Sequence, residues 1–243
     1  MSAKTGKNPI STTSNRSTYV LGALAVLVVA VVVIGGVIWQ SNRNQTRNEG
    51  YGSVSNPQVT AALQDDGAVL LSAPNAATTI DVFEDPLCPY CAQLEQSHGQ
   101  ELAQAIDEGR VAVRYHLLDF LNAASASGDY STRAVAATQC VAETGDGIAY
   151  SKLHSVLFSP EQQPEEKGSA DHTNADLAAM ARDAGADDAA VACITDGTRV
   201  ESAAADAQTA RQAMAALGAN GTPAVFVGQT PVDIGNNNWV ADL

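Results

Sequence analysis

The stretch "TTIDVFEDPLCPYCAQLEQ", Thr78–Gln96, constrains the fold more than any other part of the chain. A β-branched run ends at Glu84, Asp85-Pro86 breaks it, and Cys88-Pro89-Tyr90-Cys91 opens a stretch of helical period. Proline suits the first helical position, where its missing N–H has no bond to lose. Cys88 therefore falls at an N-cap and Cys91 one turn inside. The helix runs from about Pro89 to Asp107, with Cys91, Leu94, His98, Leu102 and Ile106 spaced three or four apart. After it, "VAVRYHLL" (Val111–Leu118) alternates Val111, Val113, Tyr115 and Leu117 with Arg114 and His116. Strand, helix, strand in this order is a βαβ unit.

The flanks extend that unit into a domain. "GAVLLS" (Gly67–Ser72) reads as an earlier strand, and "NGTPAVFVG" (Asn220–Gly228) as a late one behind a turn. From about Ser131 to Leu217 the chain is alanine-rich and helical in period, with Ser131, Thr173 and Asp187 suited to N-caps. The pattern predicts an α/β sheet domain over 61–243 with a helical insertion over about 121–217.

Upstream, Tyr19–Trp39 ("YVLGALAVLVVAVVVIGGVIW") is an uncharged apolar run of 21 residues. At about 1.5 Å per residue it spans a hydrocarbon core of about 30 Å. It exceeds a signal-peptide core, and the following "QSNRNQTRN" offers no small-x-small cleavage site. An uncleaved signal anchor over 19–40 is expected, behind a tail over 1–18 and before a flexible tether over 41–60. Lys4, Lys7 and Arg16 before the span, against Arg43 and Arg47 after it, favour a cytoplasmic N-terminus and an exported body. Four cysteines suit an exported, disulfide-permissive domain. Beyond residue 40, ten Lys and Arg face 27 Asp and Glu, a net charge of −17, which excludes nucleic acid and anionic lipid surfaces as natural partners.

Cys-x-x-Cys spacing is shared by zinc sites, haem attachment and redox pairs. Haem attachment needs a histidine where Ala92 stands, and Cys140 and Cys193 are too far apart to complete a zinc knuckle. What remains is a thiol pair at a strand–helix junction. The Tyr90 and Cys91 amides and the helix dipole favour a Cys88 thiolate, which makes Cys88 the attacking sulfur and Cys91 the resolving one. No metal ligand set or bound cofactor is expected.

"FEDPLCPYC", the helix behind it, the helical insertion and the late "GTPAVFVG" together resemble the DsbA-like branch of the thioredoxin superfamily, in its membrane-anchored actinobacterial form. The resemblance covers about residues 61–230. It implies a thioredoxin-like fold with an inserted helical subdomain, preceded by one N-terminal transmembrane helix. It also implies a cis bond between Thr222 and Pro223, facing the cysteines and offering the Thr222 backbone to an extended peptide. Some relatives bridge the insertion, which implies a structural disulfide between Cys140 and Cys193. The chain departs from the family at Tyr90, where many oxidases carry histidine, and at Val82, where a buried carboxylate is common. Glu84 shares the face of Val82 and is the candidate proton relay, while Asp85 reads as a turn residue.

The activity implied is thiol–disulfide exchange that introduces disulfides into exported proteins. Reduced exported proteins would be the substrates, and a quinone-linked membrane protein the reoxidising partner. Two alternatives stand: an envelope reductase or isomerase, and a non-catalytic module that binds peptides or copper. Relatives close with a C-terminal helix, for which "PVDIGNNNWVADL" leaves little room.

Overall fold

The computed structural model describes residues 52–243. The expected tail, the anchor over 19–40 and most of the tether lie outside the described residues. Among the described residues no helix is long and apolar enough to cross a membrane.

Six strands form one sheet. They are β1 (Thr60–Leu63), β2 (Val69–Ser72), β3 (Thr78–Glu84), β4 (Val111–Leu117), β5 (Ala224–Val227) and β6 (Thr230–Pro231), in the spatial order β1-β2-β4-β3-β5-β6. Among the described residues only β3 and β4 run parallel, joined by helix α1 (Pro89–Asp107), as the βαβ pattern predicts. Their register sets Val82 beside Tyr115 and Glu84 beside Leu117, while Val82 faces Val225 on the antiparallel β5.

Between β4 and β5 comes the insertion: α2 (Tyr130–Ala142), α3 (Gly147–Leu157), α4 (Asn174–Ala184), α5 (Asp188–Asp196) and α6 (Val200–Ala216). Their small alanine faces pack together, and side-chain N-caps open three of them. Asp146 accepts from the Ile148 and Ala149 amides, Thr173 and Asp176 form a capping box, and Asp187 accepts from the Ala190 amide. Ser131 does not cap α2. The helix starts one residue earlier, at Tyr130, and the Ser131 hydroxyl donates instead to Asp85.

The alternation in β4 predicts one wet face, yet both faces are covered. Phe83, Leu118 and Phe226 pack with Ala210 and Met214 of α6 in a second small core. His116, given no role from sequence, is buried there, stacked on Phe83 and 2.7 Å from Asp81.

The tether expectation fails for residues 52–60. Val54 and Val59 are buried, and the Ser55 and Asn56 amides donate to the Asp107 carboxylate at the end of α1. A Cβ at Gly52 would lie 2.3 Å from the Gln100 Cα, so glycine permits this close pass over α1. Polar composition hid two valines that reach the core. At the other end, β6 covers the edge of β5 and the last residues fold back without a helix, burying Trp239 and Val240. The Trp239 ring meets His98 of α1 edge-on, with centroids 5.5 Å apart.

Candidate active site

Cys88 is the N-cap of α1 and Pro89 follows at the helix start, as their spacing predicts. The two cysteines stand as free thiols. The Cys88 sulfur makes no capping hydrogen bond of ordinary geometry; it donates to the Thr222 carbonyl at 3.5 Å. The Thr222–Pro223 bond is cis, and β5 delivers it to the cysteine pair.

Their ionisations are driven apart. A hydrogen bond from Cys91, helped by Thr222 and by the Cys91 and Tyr90 amides, brings the Cys88 thiol down from 9.0 to about 6 against the opposing cost of burial. Burial first, then the Cys88 sulfur and the Glu84 charge, push Cys91 well above its ordinary value. Near neutral pH this favours a thiolate at Cys88 and a protonated thiol at Cys91.

The turn before Cys88 is fixed from the cap side. Asp85 is fully buried. Its Oδ1 accepts from the Leu87 amide at 3.0 Å and the Ser131 hydroxyl at 2.6 Å, and its Oδ2 from the Leu121 amide at 3.0 Å. Burial raises this carboxyl to about 6 despite those bonds. Asp85 is thus a turn residue that also ties β3 to α2 and to the segment after β4. Gln163, from the loop between α3 and α4, donates to the Pro86 carbonyl at 3.1 Å and the Cys88 carbonyl at 3.0 Å. No sequence signal marked Gln163, because its partners are backbone atoms more than 70 positions away.

Glu84 lies where alternation puts it, wholly buried on the face of Val82. Burial and the Cys88 charge raise its carboxyl well above 4.5. Its Oε2 meets His154 Nε2 of α3 at 3.1 Å, and His154 Nδ1 faces Glu95 Oε2 of α1 at 3.9 Å. Neither His154 nor Glu95 carries a sequence signal beyond its place on a helix. Only the i,i+4 relation of Glu95 to Cys91 was legible. The three groups offer ligand atoms within 4.8 Å of one another. The ring turns a different nitrogen to each carboxylate, Nε2 within hydrogen-bond distance of Glu84 and Nδ1 beyond it from Glu95. His98 is not part of this group; it packs on Trp239.

Cys140 of α2 and Cys193 of α5 form a disulfide with Cα atoms 5.9 Å apart. It joins two helices of the insertion. Tyr90, Phe120 and Val227 are the exposed large apolar side chains among the described residues. Tyr90 lies between the cysteines, Phe120 follows β4, and Val227 ends the strand that begins after Pro223.

A family model described as thioredoxin matches residues 65–240. The MdbA protein, a thiol-disulfide oxidoreductase from Corynebacterium diphtheriae, is 28% identical with a TM-score of 0.67, over 82% of this chain and 98% of that one. DsbA from Mycobacterium tuberculosis, in its reduced crystal structure, is 30% identical with a TM-score of 0.57, over 72% and 85% of the two chains. The serine/threonine-protein kinase PknE of Mycobacterium tuberculosis is 39% identical over 185 residues, 76% of this chain. The chain spans 32% of the length of that kinase.

Proposed function

The chain belongs to the thioredoxin family, on its DsbA-like thiol–disulfide oxidoreductase side, and from that premise we propose that its Cys88–Cys91 pair introduces disulfides into exported proteins. The observation that carries this reading is the opposed ionisation of the two thiols: Cys88 is held at about 6, and Cys91 well above its ordinary value.

In the oxidised pair a substrate thiolate attacks the Cys88 sulfur, and the Cys91 sulfur leaves and takes a proton. A second substrate thiolate then attacks its own bridged sulfur, and Cys88 leaves as a stabilised thiolate. The substrate loses two electrons and the pair gains them. The Thr222 backbone beside Cys88 offers an extended segment a strand-like partner. Exposed Tyr90, Phe120 and Val227 supply apolar contact of low sequence selectivity. Glu84, buried within reach of both cysteine charges, exchanges the proton of Cys91. The Cys140–Cys193 bridge has a structural role.

Residues 19–40 anchor the chain in the cytoplasmic membrane, with 1–18 inside and the body outside. The apolar run, the acidic body and the paired cysteines support that placement. A quinone-linked membrane protein reoxidises the pair. Tyr90, uncharged where a cation would further favour the thiolate, keeps a reductase or isomerase as the second reading.

The test is to mix the oxidised chain with a reduced, unfolded exported protein and count the bridges formed. The wild type forms them and Cys88→Ser forms none. Substrate thiols left untouched by the wild type would overturn the reading.

A further inference from the structure

Glu84, His154 and Glu95 come from β3, α3 and α1, and are 0%, 3% and 4% exposed. Burying two carboxylates and an imidazole together is costly unless they share protons. The imidazole stands between the acids, with Nε2 3.1 Å from Glu84 and Nδ1 3.9 Å from Glu95. Tyr115 and Phe158 hold the ring, with centroids at 4.3 and 4.9 Å. Glu84 Oε1 is buried with no hydrogen-bond partner, which leaves it free to serve another group. On α1, a Cβ at residue 99 would lie 2.8 Å from Glu95 Oε2. Gly99 therefore leaves the room into which the Glu95 carboxylate extends.

We propose that His154 and Glu95 are positioning residues that extend Glu84 into a buried proton conduit, Glu84–His154–Glu95, which supplies and removes the proton of Cys91. This rests on the redox reading of the cysteine pair. When Cys91 leaves the disulfide as a thiolate, Glu84 gives it a proton and becomes a carboxylate. His154 passes its Nε2 proton to Glu84 Oε2 and receives one at Nδ1 from Glu95. The ring emerges as the other tautomer and Glu95 as a carboxylate. Resolution of a mixed disulfide runs the same transfers in reverse, so that Cys91 attacks as a thiolate. The 3.9 Å step is longer than a hydrogen bond and closes by motion of the Glu95 side chain.

Other titratable groups face the conduit. Tyr115 from β4 and Tyr150 from α3 are buried beside it, and burial with the two Glu charges holds both phenols neutral. Cys88 and Cys91 complete the set at the Glu84 end. Burial raises Glu95 to about 7, so near neutral pH both its protonated and its ionised form are populated.

The experiment follows resolution of a Cys88–glutathione mixed disulfide by Cys91 from pH 5 to 10, in the full-length wild type, Glu95→Gln and His154→Gln. Thermal unfolding establishes that each variant folds. Both variants should resolve about tenfold more slowly at pH 7, with the gap closing as rising pH lets hydroxide take the proton. Should His154→Gln not fold, Glu95→Gln, which keeps the side chain's shape, decides alone. Folded variants that match the wild type at pH 7 would overturn the conduit alone. A wild-type mixed disulfide that never resolves would instead overturn the redox reading.

Discussion

Cys88 and Thr222, 134 positions apart, meet where the Cys88 thiol donates to the Thr222 carbonyl at 3.5 Å. The contact joins the start of α1 to the turn before β5, two segments the sheet order brings together. It also places the Thr222 carbonyl beside the sulfur that, on the proposed reading, carries a bound substrate.

The Cys88 sulfur should ionise well below an ordinary thiol. Thiolate absorbance near 240 nm, and the rate of alkylation, should rise with a midpoint near pH 6, and Cys88→Ser should abolish the transition. Because the folded value lies below the ordinary 9.0, the thiolate stabilises the reduced fold above pH 9, and that gain is lost as pH falls toward 6. The oxidised fold lacks this dependence. A midpoint near 9 would contradict the prediction.

Glu95 should oppose stability at neutral and alkaline pH. Burial raises it from 4.5 to about 7, so its favourable contribution is complete below pH 4.5 and lost as pH rises through about 7. The loss is on the order of 3 kcal/mol. Urea unfolding at pH 5 and 8 should show a smaller difference in Glu95→Gln than in the wild type. Equal differences would count against it.

The Cys140–Cys193 bridge spans a separation of 53 residues. Replacing both cysteines with alanine should cost about 4 kcal/mol of stability in the chain-entropy model. Thiol exchange at Cys88 should persist, since the bridge joins α2 to α5 and neither Cys88 nor Cys91 takes part in it. Exchange lost in a variant that still folds would assign the bridge a redox role.

Trp239 is 3% exposed and packs on His98 of the active-site helix. Trp239→Ala should cost about 3–5 kcal/mol, as large core truncations do. Denaturant unfolding reads the loss, and hydrogen exchange should quicken along α1. A loss below about 1 kcal/mol would mean that the C-terminal segment is not part of the core.

Local chemistry made much of this legible in the sequence. Pro89 fixed the helix start and so the position of Cys88. Alternation along Thr78–Glu84 put Glu84 on the buried face. Thr173 and Asp187 announced their caps. What stayed hidden depends on contacts between distant segments. His154 gains its meaning from Glu84, 70 positions earlier, and Gln163 from backbone carbonyls at Pro86 and Cys88. Ser131 looked like a cap because its partner, Asp85, lies 46 positions away. Val54 and Trp239 sit in polar, turn-rich stretches whose composition suggested tethers and loose ends.

The reduction potential of the Cys88–Cys91 pair tests the central claim most directly, measured by equilibrating the full chain in glutathione buffers and trapping its thiols. A thiol at about 6 lies below the roughly 7 of thioredoxin and above the roughly 3.5 of DsbA. The potential should therefore be clearly less negative than roughly −270 mV, on the way to the roughly −120 mV of a strong oxidant. A value at or below roughly −270 mV would contradict a disulfide-introducing role and leave a reductase.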